Sequence, residues 1–390
     1  MKQGKSLTEL AQELDRQAKT RRDFVAPTSK LRAMVIGRDS ESGPREGRVV
    51  LTGFPSGETM GINALAHQQI ASDLAIPKPY YDRMVTEAPA LLADNVNHWL
   101  RAQPQDRLVR TLDGNVRAFL SSKYRPLDNF ELINAVIPAF KDLGGGLTVE
   151  SCEVTERRLY IKAVLPSLAM DLAMAKREAM IKAGVALHAE RPGEDVVQAA
   201  VTIRNSEVGE GGLYVEEGVY RLVCYNLATV AKTLRKYHVG RKHGRGNGNG
   251  HGSEEDGQDV WQLLSDEARA ADDTAFWLRV RDVAKAAFSP ERFNVNALKL
   301  AGAAADVIEG KVEKVVEVTA VRFGLSDSTR ENVLQRLIKG ADLSRFGLIN
   351  AVTAASQDET DYDRASDLER LGGQIIEMPR SEWSQLAKAA

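Results

Sequence analysis

Three features of the chain predict an α+β fold: a tight hairpin signal at Asp113-Gly114, a Gly-rich break over 244–257, and helical periodicity in nearly everything beyond that break. The expected architecture is an N-terminal mixed region with antiparallel hairpins packed on helices, followed by a mostly helical C-terminal region. The expected division is an α+β domain over 1–243 (core about 45–243), a flexible linker over 244–257 and a helical domain over 258–390.

The elements follow in order. Residues up to about Asp23 form a short polar helix or arm. Residues 48–54 form a strand, ended by Pro55-Ser56-Gly57. Over 63–74 the residues Leu65, Ala66, Ile70 and Leu74 make one helical stripe, and Pro77 and Pro79 break it before another helix begins near Tyr80. Residues 107–122 form the clearest hairpin, because Asp-Gly is the preferred pair for a two-residue type I′ turn. That turn sets Leu112 against Asn115, Thr111 against Val116 and Arg110 against Arg117. Two arginines face to face destabilise a sheet, so a carboxylate such as Asp128, or a bound phosphate, is expected between them.

Residues 129–143 carry Leu132, Ile133, Val136 and Phe140 on one helical face, and Gly144-Gly145-Gly146 stops the helix. A second hairpin spans 148–166, turning near Thr155-Glu156, and a further strand covers 196–206. Gly209, Gly211 and Gly212 make a loop into 213–217. Val223, Leu227, Val230 and Leu234, spaced 4-3-4, predict an amphipathic helix that Gly240 ends. Beyond the linker, helices are expected over 261–287, 295–308, 312–321, 328–338 and 364–371, with Ser328 and Glu331 at capping-box spacing.

Composition narrows the function. The chain has 390 residues, 43% of them hydrophobic, which suits two or three globular domains. No apolar run is long enough for a membrane span and the N-terminus lacks a secretory signal, so no membrane partner is expected. Cys152 and Cys224 lack C-x-x-C spacing and suit a reducing compartment. Gly4-Lys5-Ser6 lacks the earlier glycine and strand of a phosphate-binding loop. His238, His243 and His251 lack completing ligands, and Asp358, Glu359, Asp361 and Asp363 lack the glycine of a calcium loop. No cofactor and no metal are expected, and no catalytic set shows local spacing.

Charge is segregated although the net is −2. The chain is net positive up to Ser253 and net negative beyond it. No carboxylate occurs over 218–253, a stretch holding Arg221, Lys232, Arg235, Lys236, Arg241, Lys242 and Arg245. Helix-dipole complementarity at the last expected turn explains Lys232, Arg235 and Lys236, but Arg241, Lys242 and Arg245 run past the expected helix stop. A second patch holds Arg101, Arg107, Arg110, Arg117, Lys123 and Arg125, with Phe119 and Tyr124 interleaved. Cations with aromatics on a sheet can track a nucleic-acid backbone and stack bases. The candidate binding residues are therefore Arg110, Arg117, Lys123, Tyr124, Arg125, Arg221, Lys232, Arg235, Lys236, Arg241, Lys242 and Arg245.

The runs HQQIASDLAIPKPYYDRM (67–84), RTLDGNVRAFLSSKYRPLDN (110–129), YRLVCYNLATV (220–230) and LINAVTAASQDETDYDRASDLERLGG (348–373) resemble the domain-of-unknown-function 932 family of phage- and plasmid-borne proteins. The resemblance spans about 45–378. It implies a mobile-element origin and a bacterial cytoplasm, and no established activity. The chain departs from it at Asn226-Leu227, where relatives are expected to carry Asn-Gly. A looser likeness, at the level of fold, is to phage single-strand annealing proteins, whose strand hairpin packs on a helix beside a basic groove. The expected function is nucleic-acid binding, of single strands rather than duplex, in recombination or replication, with homo-oligomers possible. The alternatives are a metal-dependent enzyme whose site forms only in the fold, and a protein-binding adaptor.

Overall fold

The computed structural model describes residues 1–37, 47–186, 195–236 and 265–389; side chains at 231–233, 235, 236, 266 and 269 lie outside the description. The fold is α+β. After α1 (Leu7–Thr20), capped by a reciprocal Ser6–Glu9 box, the chain builds a six-stranded sheet. Its strands are β1 (Arg22–Pro27), β2 (Arg32–Gly37), β3 (Gly47–Thr52), β4 (Met60–Ile62), β5 (Asp106–Leu112) and β6 (Asn115–Ser121), in the order β1-β5-β6-β4-β3-β2. All neighbours are antiparallel except β4 and β6. The helices α2 (Ala64–Asp73), α3 (Lys78–Glu87) and α4 (Pro89–Ala102) bury Ile70, Tyr81, Met84, Leu92 and Val96 against Val49, Leu51, Val109 and Phe119.

Then α5 (Asn129–Leu143) leads into an antiparallel meander of β7 (Thr148–Val154), β8 (Leu159–Asp171), β9 (Val196–Asn205), β10 (Leu213–Arg221) and β11 (Asn226–Lys236), with α6 (Ala173–Ala183) between β8 and β9. The remaining described chain is helical: α7 (Asp266–Ala286), α8 (Pro290–Gly302), α9 (Val312–Phe323), α10 (Asp327–Gly340), α11 (Arg345–Ala355), α12 (Tyr362–Glu377) and α13 (Arg380–Ala387). Side chains alternate across the meander. Ile161, Ala163, Val201, Ile203 and Val215 share an apolar core with α5, α7 and α8. On the other face, Lys162 pairs with Glu369 of α12 at 2.7 Å and Arg204 pairs with Glu216 at 2.9 Å. That core runs from Leu10 of α1 to Trp383 of α13, so the described parts of 1–243 and 258–390 share one interior. The 244–257 segment, with Arg241, Lys242 and Gly240, lies outside the described residues.

Three sequence readings are corrected. The stripe Val223, Leu227, Val230, Leu234 does not mark a helix: residues 226–236 are β11, paired with β10 along its whole length. Leu227, Ala228 and Thr229 are all buried, because the meander is covered on both faces. A strand covered on both faces loses its alternation and mimics helical spacing. The α10 cap is Ser326, whose oxygen accepts from the Thr329 N–H, rather than Ser328. The third concerns register. Asp113 and Gly114 both have positive φ (51° and 73°), as a type I′ turn requires, and the first two cross-strand pairs fall as expected. A bulge then intervenes, so Arg110 faces Ala118 and Arg117 becomes the extra residue.

Candidate functional site

Two of the predicted basic residues, Arg110 and Arg117, lie where the six-stranded sheet meets the meander. Arg110 is 0% exposed. Its Nε donates to both oxygens of Asp23 (3.0 and 3.1 Å), its Nη2 to Asp128 Oδ1 (2.6 Å) and its Nη1 to the Glu207 carbonyl (2.9 Å). Burial opposes its charge, but Asp128 and Asp23 more than offset this and lift its pKa above the ordinary arginine value. Asp128, the carboxylate expected between Arg110 and Arg117, holds only Arg110 of that pair, and Arg117 takes a different carboxylate. Arg117 Nη1 donates to Glu207 Oε2 at 2.8 Å, and Glu207 Oε1 accepts from the Asn129 N–H at 2.6 Å. A carboxylate at that position satisfies a donor in the first turn of α5 and complements the helix dipole.

Sequence reasoning missed Arg21, Asp23 and Glu207 here. Arg21 Nη1 lies 2.7 Å from Asp128 Oδ2, and its Nη2 lies 3.5 Å from Glu131. Burial first, then the neighbouring Asp128 charge, holds the Glu131 carboxyl above its usual range. The signal that was available was Glu207 itself, an acid opening the glycine-rich loop beside an expected surplus of arginines.

Other candidates among the described residues also have partners. Arg125 pairs with Asp272 (2.9 Å) and Asp273 of α7. Tyr124 donates to the Ser206 carbonyl at 3.0 Å, and burial raises its phenol pKa. Lys123 is exposed in the turn after β6. Phe119 is a core residue, not a stacking platform. Arg221 sits at the end of β10, paired with Asp195, which also binds Lys176 at 3.1 Å. Lys232, Arg235 and Lys236 fall on β11, their side chains outside the description, and Arg241, Lys242 and Arg245 lie outside the described residues.

The junction is thus a cross-neutralised network rather than an open cationic surface. Among the described residues no group of three or more His, Cys, Asp or Glu side chains is placed to hold a metal. Cys152 is buried, its thiol pushed up to about 11 chiefly by that burial. No helix among the described residues is long and apolar enough to cross a membrane. Comparison of the chain with protein-family models, with curated proteins and with solved structures finds no match.

Proposed function

We propose that this protein binds single-stranded nucleic acid through its phosphate backbone, in the recombination or replication of a bacterial phage or plasmid. One observation carries the reading. The carboxylate-free stretch 218–253 begins in β10 and includes all of β11, an outer strand of the meander, and then continues into Arg241, Lys242 and Arg245. Because Arg110, Arg125 and Arg221 are paired with carboxylates and Arg117 is buried against Glu207, electrostatic capture of a backbone falls to the cations from Lys232 onward. Tyr225, 60% exposed in the turn before β11, lies within the same stretch and offers a ring for stacking. The mobile-element setting rests on the resemblance to the domain-of-unknown-function 932 family.

Phosphate contacts hold a ligand without reading its bases. Replacing Arg241, Lys242 and Arg245 by glutamine should weaken binding to oligonucleotides of every sequence by about the same factor. A gel-shift series with single- and double-stranded oligonucleotides tests this. Unchanged affinity, or a loss confined to one sequence, would remove the segment from the binding surface.

A further inference from the structure

Arg117 uses only part of its guanidinium. The residue is 8% exposed, and its Nη1 is spent on Glu207. The other Glu207 oxygen accepts from the Asn129 N–H. The buried Nε and Nη2 of Arg117 have no acceptor among the described residues. These two nitrogens form the side-on fork of an arginine, a planar pair of parallel donors whose spacing matches two oxygens of one phosphate or carboxylate. A buried ionic donor pair without an acceptor is unusual, because protein interiors satisfy nearly all such groups.

Arg117 also lines a cleft of about 330 Å³ bounded by α1, the tip of the β5–β6 hairpin and the β7–β8 turn. The bulge in β6 is a specific backbone feature at this residue, and bulges recur where a strand must re-aim a side chain. The cleft's other cations stand differently. Arg16 is occupied by Glu13 and Asp113, whereas Arg157 is exposed at the rim and Arg158 spends its Nε on the Glu210 carbonyl at 2.9 Å. The volume is at the small end of the range for ligand pockets.

We propose that this cleft is a binding site for the phosphate group of a small ligand, with the Arg117 fork as its bidentate anchor and Arg157 at its mouth. The site does not depend on the nucleic-acid reading, which places backbone contacts on the carboxylate-free stretch.

Titration of the whole protein with inorganic phosphate, against chloride at equal ionic strength, tests it by calorimetry and by the NMR signal of the Arg117 Nε–H. Saturable binding with a shift of that signal is expected. Arg117→Lys keeps the charge facing Glu207 but lacks the fork, and should weaken phosphate binding tenfold or more. Arg157→Gln should weaken it less. If Arg117→Lys fails to fold, the response of the wild-type signal to phosphate against chloride still decides the matter. Equal effects of phosphate and chloride, or full binding by Arg117→Lys, would overturn the proposal. Adenosine monophosphate should displace the phosphate, whereas a single-stranded oligonucleotide without terminal phosphate should not. Displacement by that oligonucleotide would instead assign the cleft to a nucleic-acid backbone and overturn the small-ligand site.

Discussion

Arg110→Met is the sharpest probe of the junction. Methionine keeps much of the aliphatic volume but removes every donor that reaches Asp23, Asp128 and the Glu207 carbonyl. Removing one partner of a buried ion pair costs about 3–5 kcal/mol, because the remaining charge stays desolvated. Two features pull the value toward the lower end: Asp23 is partly exposed, and Asp128 keeps Arg21 at 2.7 Å. A loss of about 3 kcal/mol is therefore expected in urea unfolding at neutral pH. Replacing Asp23 and Asp128 by asparagine in the same background should recover part of it, since neutral groups are cheaper to leave buried. Oligonucleotide affinity of the folded variant should be unchanged. Stability within about 0.5 kcal/mol of the parent, the range of ordinary surface substitutions, would refute the buried network. A selective loss of nucleic-acid binding would return Arg110 to a ligand-facing role.

Three further substitutions follow from packing and burial. His67, whose Nδ1 lies 2.9 Å from the Tyr81 hydroxyl, is held down to about 4, chiefly by burial. Above pH about 6.5 the imidazole is neutral in both folded and unfolded chains and contributes nothing to the pH dependence. As pH falls from there to about 4, the unfolded chain takes up a proton that the folded one refuses, so stability drops by at most about 3 kcal/mol. His67→Gln should flatten that part of the stability–pH curve in urea titrations, and an unaltered curve would show that the ring is not buried neutral. Gly373 of α12 lies so close to β11 that a Cβ there would sit 1.7 Å from the Thr229 carbonyl oxygen. Gly373→Ala should cost at least about 1–3 kcal/mol. Gly302→Ala, with open space at the same atom, should be neutral or stabilising by up to about 1 kcal/mol; similar behaviour of the two would contradict the packing of α12 on the sheet.

Much of the architecture was legible because its signals are local. The Asp113-Gly114 turn fixed the β5–β6 hairpin and its first two pairs, and Asn129–Leu143 forms the helix that its apolar face and glycine stop predict. What failed depended on tertiary surroundings. Residues 226–236 became a strand because the preceding β10 pairs with them as a hairpin and because α11 and α12, far along the chain, pack on them. The bulge that separates Arg110 from Arg117 leaves no mark in the turn residues. The partners of those arginines, Asp23 and Glu207, lie 87 and 90 positions away. A basic stripe in sequence therefore gave no sign that its arginines were internal, whereas the absence of carboxylates over 218–253 is a property of the sequence itself.

The central claim, capture of single-stranded nucleic acid by the carboxylate-free stretch, is tested most directly by the salt dependence of oligonucleotide affinity. Fluorescence anisotropy between about 50 and 200 mM salt gives a log–log slope proportional to the phosphates neutralised, about 0.7 per contact for a single strand. The account predicts a steep slope for the wild type, flattened by about 2 when Arg241, Lys242 and Arg245 are all replaced by glutamine. Absence of binding at the lower salt, or the same slope in both proteins, would contradict it.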